Sequence, residues 1–327
     1  MEFPKSTRYD LIMKTVYNFF VSENITSFPI NPFEIIKKNK WGLMTYSELA
    51  MENDMTIEEV IKACQSEDGY VIKDDDNYTI AYNDMIDNLG RIRFTLMHEI
   101  GHIKLNHLVE FEETILNRSK LTKSKYKILE REAHAFARNT LAPAFLVNRL
   151  RARNRIKCTS DLIELFNISL KAAQTRMQFL SWDTLKSLKY AFLLMKRFKR
   201  FIDTVVYGKY CLRCSNFFIH QSANYCPICG HNRLVKGSEV NSMIYDGYEL
   251  DQNGRPSICP RCENEHIDQN DEFCRICKLQ IVNKCTNIIG YEQVGFGQEP
   301  IYCNTPASGD ARYCVKCGGE TTYFQQG

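Results

Sequence analysis

Long apolar runs are missing from this 327-residue sequence; the longest, near Tyr190 to Met195, falls far short of the roughly 20 residues that a bilayer-spanning helix needs. The opening Met1-Glu2-Phe3-Pro4-Lys5 lacks the apolar core of a secretory leader. The expected compartment is therefore the cytoplasm, with no membrane partner. Cysteine is scarce before residue 208, where only Cys64 and Cys158 occur, and these two read as ordinary buried thiols. The remaining 12 of the 14 cysteines crowd the last third of the chain, where a cytoplasmic setting favours metal over disulfides. That cysteine-rich part also lacks a basic excess, with 11 Lys and Arg against 13 Asp and Glu, so it is no cationic arm. The rest is ordinary for globular protein, at 44% hydrophobic and 25% charged, and the length suggests two or three domains.

The stretch Arg91 to His102 concentrates the chemistry. Positions four apart share one helix face, so His98 and His102 can both reach one metal ion while Glu99 flanks it. Phe94, Leu96, Met97, Ile100, Ile103 and Leu105 make the segment largely apolar, which predicts a buried helix. Buried imidazoles need partners, and a metal supplies one. This is the His-Glu-x-x-His pattern, in which zinc activates a water and the Glu moves its proton. The longer metzincin pattern is missing: Leu105 stands where its Gly belongs, and His107 comes one residue early. His107 is thus expected on the surface or behind the ligands.

Two histidines leave such a site one protein ligand short. A second helix through Lys127 to Ala137 offers that ligand, with Glu130 one turn before His134 and small residues Ala133 and Ala137 permitting close approach. Together, RFTLMHEIGH at 93–102 and EREAHAFARNTLAP at 130–143 resemble the ImmA/IrrE family of zinc metallopeptidases. The resemblance implies His98, His102 and Glu130 as ligands of a catalytic zinc and Glu99 as the base, with Glu132 the alternative third ligand. His134 departs from the Asn or Asp that the family often carries, and stands either behind the ligands or near the oxyanion. The fold implied is α+β: a small gluzincin-like helical peptidase core with a β-hairpin or short sheet, followed by zinc-ribbon modules.

In chain order, helical periods run from Thr7 to Ser22, from Asn31-Pro32 to Ile36 and from Ser47 to Ala63. Tyr70 to Lys73 and Tyr78 to Tyr82 alternate around Asp74 to Asn77, a hairpin pattern. In related zinc peptidases an edge strand takes the substrate as an added strand, which makes Tyr78, Ile80 and Tyr82 the expected cradle. The core is expected over 1–150. A helix-turn-helix-like unit over 151–183, turning at Phe166-Asn167-Ile168-Ser169, is expected to pack on the core, with Lys171, Gln174 and Arg176 its base-reading candidates. A basic connector is expected over 184–207.

The later cysteines come in knuckles. Cys211, Cys214, Cys226 and Cys229 (208–233), then Cys259, Cys262, Cys274 and Cys277 (255–280), have the spacing of Cys₄ zinc sites. Cys285, Cys303, Cys314 and Cys317 (281–322) form a third set with one knuckle split. One catalytic and three structural zinc ions are expected. Small modules of this kind draw much of their folding free energy from metal. Their near-neutral charge favours protein over nucleic acid as partner, although Phe217, Phe218, Tyr225, Tyr245, Tyr248, Tyr291 and Phe296 offer stacking surfaces. The resemblance implies limited proteolysis of a transcriptional repressor, in stress response or mobile-element control, with a regulatory partner. The rival reading is a non-enzymatic zinc-ribbon regulator binding protein or nucleic acid.

Overall fold

The computed structural model describes residues 3–74, 77–110, 123–237, 245–268, 270–295 and 297–324. The chain divides into two units, 1–202 and 203–327. In the first, everything is arranged around α5 (Leu89–Lys104), which is buried at every position from Thr95 to Ile103. A helix buried over so long a stretch belongs in an interior, and His98, Glu99 and His102 are buried with its apolar residues. The Asn88 side chain starts α5 by accepting from the Arg91 amide at 2.9 Å.

A three-stranded sheet lies against α5, in the order β1 (Gly42–Thr45), β3 (Asn77–Tyr82), β2 (Gly69–Asp74). β2 and β3 are the expected hairpin, antiparallel from Gly69 opposite Tyr82 to Asp74 opposite Asn77. Residues 75 and 76 of its turn lie outside the described residues. β1, which carries no strong period of its own, pairs parallel to β3. β3 is therefore central, paired on both edges from Thr79 to Tyr82, and Ile80 is wholly buried. The expected cradle of Tyr78, Ile80 and Tyr82 is corrected on that ground, because a strand paired on both sides has no free amides or carbonyls to offer. The edge strands are β1 and β2.

The helix expected from Ser47 to Ala63 is two: α3 (Tyr46–Glu52) and α4 (Ile57–Cys64). Asp54 takes a left-handed conformation at φ 51°, and Thr56 with Glu59 then closes a fresh capping box. α7 (Lys123–Leu141) also packs on α5, with α1 (Tyr9–Ser22) packed on it in turn. α2 (Pro32–Lys38) and α6 (His107–Glu110) complete this part.

After α8 (Ala144–Arg151), the helix-turn-helix-like pair is α9 (Thr159–Phe166) and α10 (Leu170–Gln178), followed by α11 (Leu180–Arg197). Phe28 contacts Phe166, Phe198 and Phe201 at centroid distances of 5.3, 5.1 and 5.3 Å. That aromatic cluster joins the early and late helices into one core, so the stretch expected as a connector is, through Ile202, part of the first unit. α12 (Lys199–Tyr207) carries the chain into the second unit. Arg176 also departs from expectation: it is fully buried and donates to Asp183, which also accepts from Arg138 at 2.7 Å and Asn139 at 3.1 Å. It is therefore no base-reading candidate. Cys64 is buried as expected, whereas Cys158 is exposed. Among the described residues no helix is long and apolar enough to cross a membrane.

The second unit holds β4 (Gly208–Cys211), β5 (Phe217–Ile219) and β6 (Leu234–Lys236) in one small sheet, and the hairpin β7 (Ile288–Val294) and β8 (Gly297–Tyr302). That hairpin is the insertion that splits the third cysteine set between Cys285 and Cys303; Phe296 lies outside the described residues. The residue after each knuckle's second cysteine is left-handed: Ser215, Gly230, Glu263, Lys278 and Gly318, with Asn304 after Cys303. In the five intact knuckles that turn returns the residue's amide to the carbonyl of the first cysteine, at 2.8 to 3.0 Å.

Candidate metal centre and its surroundings

Facing positions on α5 and α7 bring three donors together. Gly101 lies so close to α7 that a Cβ there would come within 3.3 Å of the Ala133 Cα, so the absence of a side chain sets the helix separation. Across that gap, His98 Nε2 and His102 Nε2 face each other at 3.1 Å. Glu130 Oε2 stands 3.2 Å from His98 Nε2, and Oε1 stands 3.4 Å from His102 Nε2. Atoms held about 2.0–2.1 Å from one tetrahedral zinc stand roughly 3.3 Å apart, so this spacing suits the edges of one coordination shell. Glu130 Oε1 is buried and has no hydrogen-bond donor among the described residues, as suits an oxygen reserved for a cation.

A second layer fixes the tautomers. His107 is wholly buried, not a surface residue; its Nδ1 lies 3.2 Å from His102 Nδ1 and its Nε2 lies 3.1 Å from Glu132 Oε2. An ionised carboxylate only accepts, so His107 carries its proton on Nε2 and accepts at Nδ1 from His102. His102 is then left with an Nε2 lone pair aimed at the shared point. Arg8, just before α1, anchors Glu132: its amide donates to Oε1 at 2.7 Å and its guanidinium to Oε2 at 2.8 Å. Burial pushes the Glu132 carboxyl up, yet hydrogen bonds from His107 and Arg8 outweigh that and hold it at about 2. The two candidate carboxylates thus occupy different layers, Glu130 against the imidazoles of α5 and Glu132 behind them.

His134 reaches the same cluster from the open side. Its ring stands 4.4 Å from that of His98, and its Nδ1 donates to the Glu130 carbonyl at 2.9 Å. Ligating atoms of His98, Glu130 and His134 all lie within 4.8 Å of one another. Loss of hydration and the His98 imidazole push the His134 pKa down to about 4, so near neutral pH its Nε2 presents a lone pair rather than a donor. Glu99 is buried and lines, with His98, Glu130 and His134, a cavity of about 120 Å³. Ser66, Asp68, Gly69 and Tyr126 close its other sides. Sequence reading passed over Tyr126, although it stands one turn before Glu130 on α7, the same spacing that singled out His134.

The cysteines form three Cys₄ groups of the expected membership. Four sulfurs each about 2.3 Å from a zinc ion stand roughly 3.8 Å apart. Here Cys211 and Cys229 are 3.6 Å apart, Cys259 and Cys277 3.6 Å, and Cys285 and Cys317 3.5 Å, spacings that suit zinc and exceed a disulfide bond. Asn216 and Asn264 each donate from Nδ2 to a cysteine sulfur at 3.8 Å, and Asn287 to Cys317 at 3.7 Å.

Two imidazoles and a carboxylate on facing helices, with a second carboxylate beside an open cavity, make a donor set that suits a divalent metal such as zinc. Residues 55–178 match the family model described as the IrrE N-terminal-like domain, a peptidase family. No curated protein matches the chain. The chain thus carries a metallopeptidase-type domain followed by three Cys₄ groups consistent with zinc ribbons.

Proposed function

We propose that this protein is a zinc-dependent endopeptidase that performs limited proteolysis on a cytoplasmic protein, namely a transcriptional repressor in stress response or mobile-element control. The convergence of His98, His102 and Glu130 within 3.1 to 3.4 Å of one another carries the reading. These three would hold the zinc ion, Glu132 would stay in the layer behind them, and Glu99 would face the water that the ion activates. Zinc, when bound, draws the pKa of that water toward 7 and polarises the scissile carbonyl. Glu99 takes the water's proton and returns it to the leaving amine. Tyr126, in the same cavity, donates its hydroxyl to the charge that develops on the carbonyl oxygen.

The substrate adds as a strand to β2, an edge strand whose first residue, Gly69, lines the cavity. The three ribbons hold structural zinc and recruit or gate the substrate by protein contacts. The test is incubation of the purified protein with repressors encoded beside its gene: wild type cleaves one at a defined bond, and Glu99→Gln does not. A wild-type protein that cleaves none of them speaks for a regulatory role.

A further inference from the structure

The hairpin of β7 and β8 lies almost wholly in solvent: every residue of both strands is exposed except Gly290 and Pro300, which are half-buried. Ile288, Ile289, Tyr291, Val294, Ile301 and Tyr302 are among the exposed residues. An isolated two-stranded hairpin is marginal in water. This one is tied at its base, where Cys285 and Cys303 belong to the third Cys₄ group and the Cys303 amide donates to the Asn287 carbonyl at 2.9 Å. The thiolate group thus roots an arm whose apolar side chains stay in water, the mark of a contact surface.

Register gives the two faces of the arm different chemistry. Glu292 stands directly opposite Glu299, so two carboxylates share one face. Like charges so placed repel, and neither has an ion-pair partner among the described residues. Tyr291, Pro300 and Tyr302 fall on the other face. The edges differ as well. β8 carries Pro300, which has no amide to donate and discourages a further strand. β7 carries no proline, and among the described residues β8 is its only partner, so its outer edge is open.

We infer that this arm takes a basic, extended segment of a partner protein as a third strand along β7. Lysine or arginine of the partner lies beside Glu292 and Glu299, and its apolar side chains lie on the face of Tyr291 and Tyr302. Charge decides against a second copy of this chain. Symmetric antiparallel pairing of β7 with β7 would gather four carboxylates on one face. The inference gives an element and a chemistry to the protein contacts proposed for the ribbons, and it uses nothing of the peptidase centre.

The test uses ten-residue peptides that alternate valine with lysine or valine with glutamate, with binding to the zinc-loaded full chain followed by fluorescence anisotropy. Wild type binds the lysine peptide at least about tenfold more tightly, and methylation of alternate peptide amides, which blocks strand addition, abolishes binding. Glu292→Lys combined with Glu299→Lys reverses the preference, with the zinc count per chain showing that the ribbons remain folded. Equal or absent binding of the two peptides, undiminished binding after methylation, or a preference that survives the double substitution overturns the inference. So does a wild-type dimer in sedimentation that Tyr291→Asp dissociates, which would put a second copy on this face. Repressor cleavage, assayed separately, decides the peptidase reading whichever result is found.

Discussion

His107 donates to Glu132 across 3.1 Å with both side chains shut off from solvent, and this pair stands directly behind the His102 imidazole. Through it α6, α7 and the residue before α1 all bear on the His102 tautomer. His107→Ala should lower zinc affinity at this site by about 10- to 100-fold, since outer partners of ligating histidines carry effects of that size. Chelator competition on the full chain measures it, and thiolate-bound zinc should be unaffected.

The same pair sets an acid dependence. The Glu132 carboxyl sits at about 2, against an ordinary 4.5, so its folded-state pKa is depressed. Its contribution to stability is complete above the unfolded value and is lost as pH falls from about 4.5 through about 2. The stability gap between wild type and Glu132→Gln, followed by urea unfolding, should be widest above pH 5 and should close across that window.

Asp183 is the common acceptor of Arg138, Arg176 and Asn139, all buried. Removing it strands two guanidinium groups away from water. Asp183→Ala should cost about 3–5 kcal/mol of stability, read as a fall in the urea midpoint of the first unit. Asp183→Glu should cost less if the ion pairs re-form.

The first and third cysteine groups are linked by a reciprocal contact. Tyr225 lies on Gly318 and Tyr313 on Gly230, each ring within 2.9 Å of where a Cβ would stand. The Tyr225 amide donates to the Val315 carbonyl at 3.0 Å, and the Tyr313 amide to that of Pro227 at 2.7 Å. Phe273 holds the corresponding place in the middle group and is exposed. Tyr225→Ala should therefore speed zinc release from the first and third groups together and leave the second unchanged, as measured by timed chelator uptake.

What the sequence revealed and what it hid divide along chain separation. His98, Glu99 and His102 sit on one helix, and each knuckle is four residues long, so local spacing sufficed. Arg8 reaches Glu132 across 124 residues, and no local pattern announces it. β3 reads as a half-buried strand whether edge or central, because the parallel partner β1 is only four residues long. Arg176 reads as a surface charge until Asp183 folds against it. The ribbon contact did leave a trace, since Ala-x-Tyr-Cys-x-x-Cys-Gly occurs both at 223–230 and at 311–318.

Zinc per chain, counted in wild type, Glu99→Gln and Glu130→Gln alongside repressor cleavage, tests the central claim most directly. Four, four and three zinc ions, with cleavage by wild type alone, are the predicted results. Four zinc ions in Glu130→Gln, or cleavage by Glu99→Gln at the wild-type rate, would contradict the assignment of the centre.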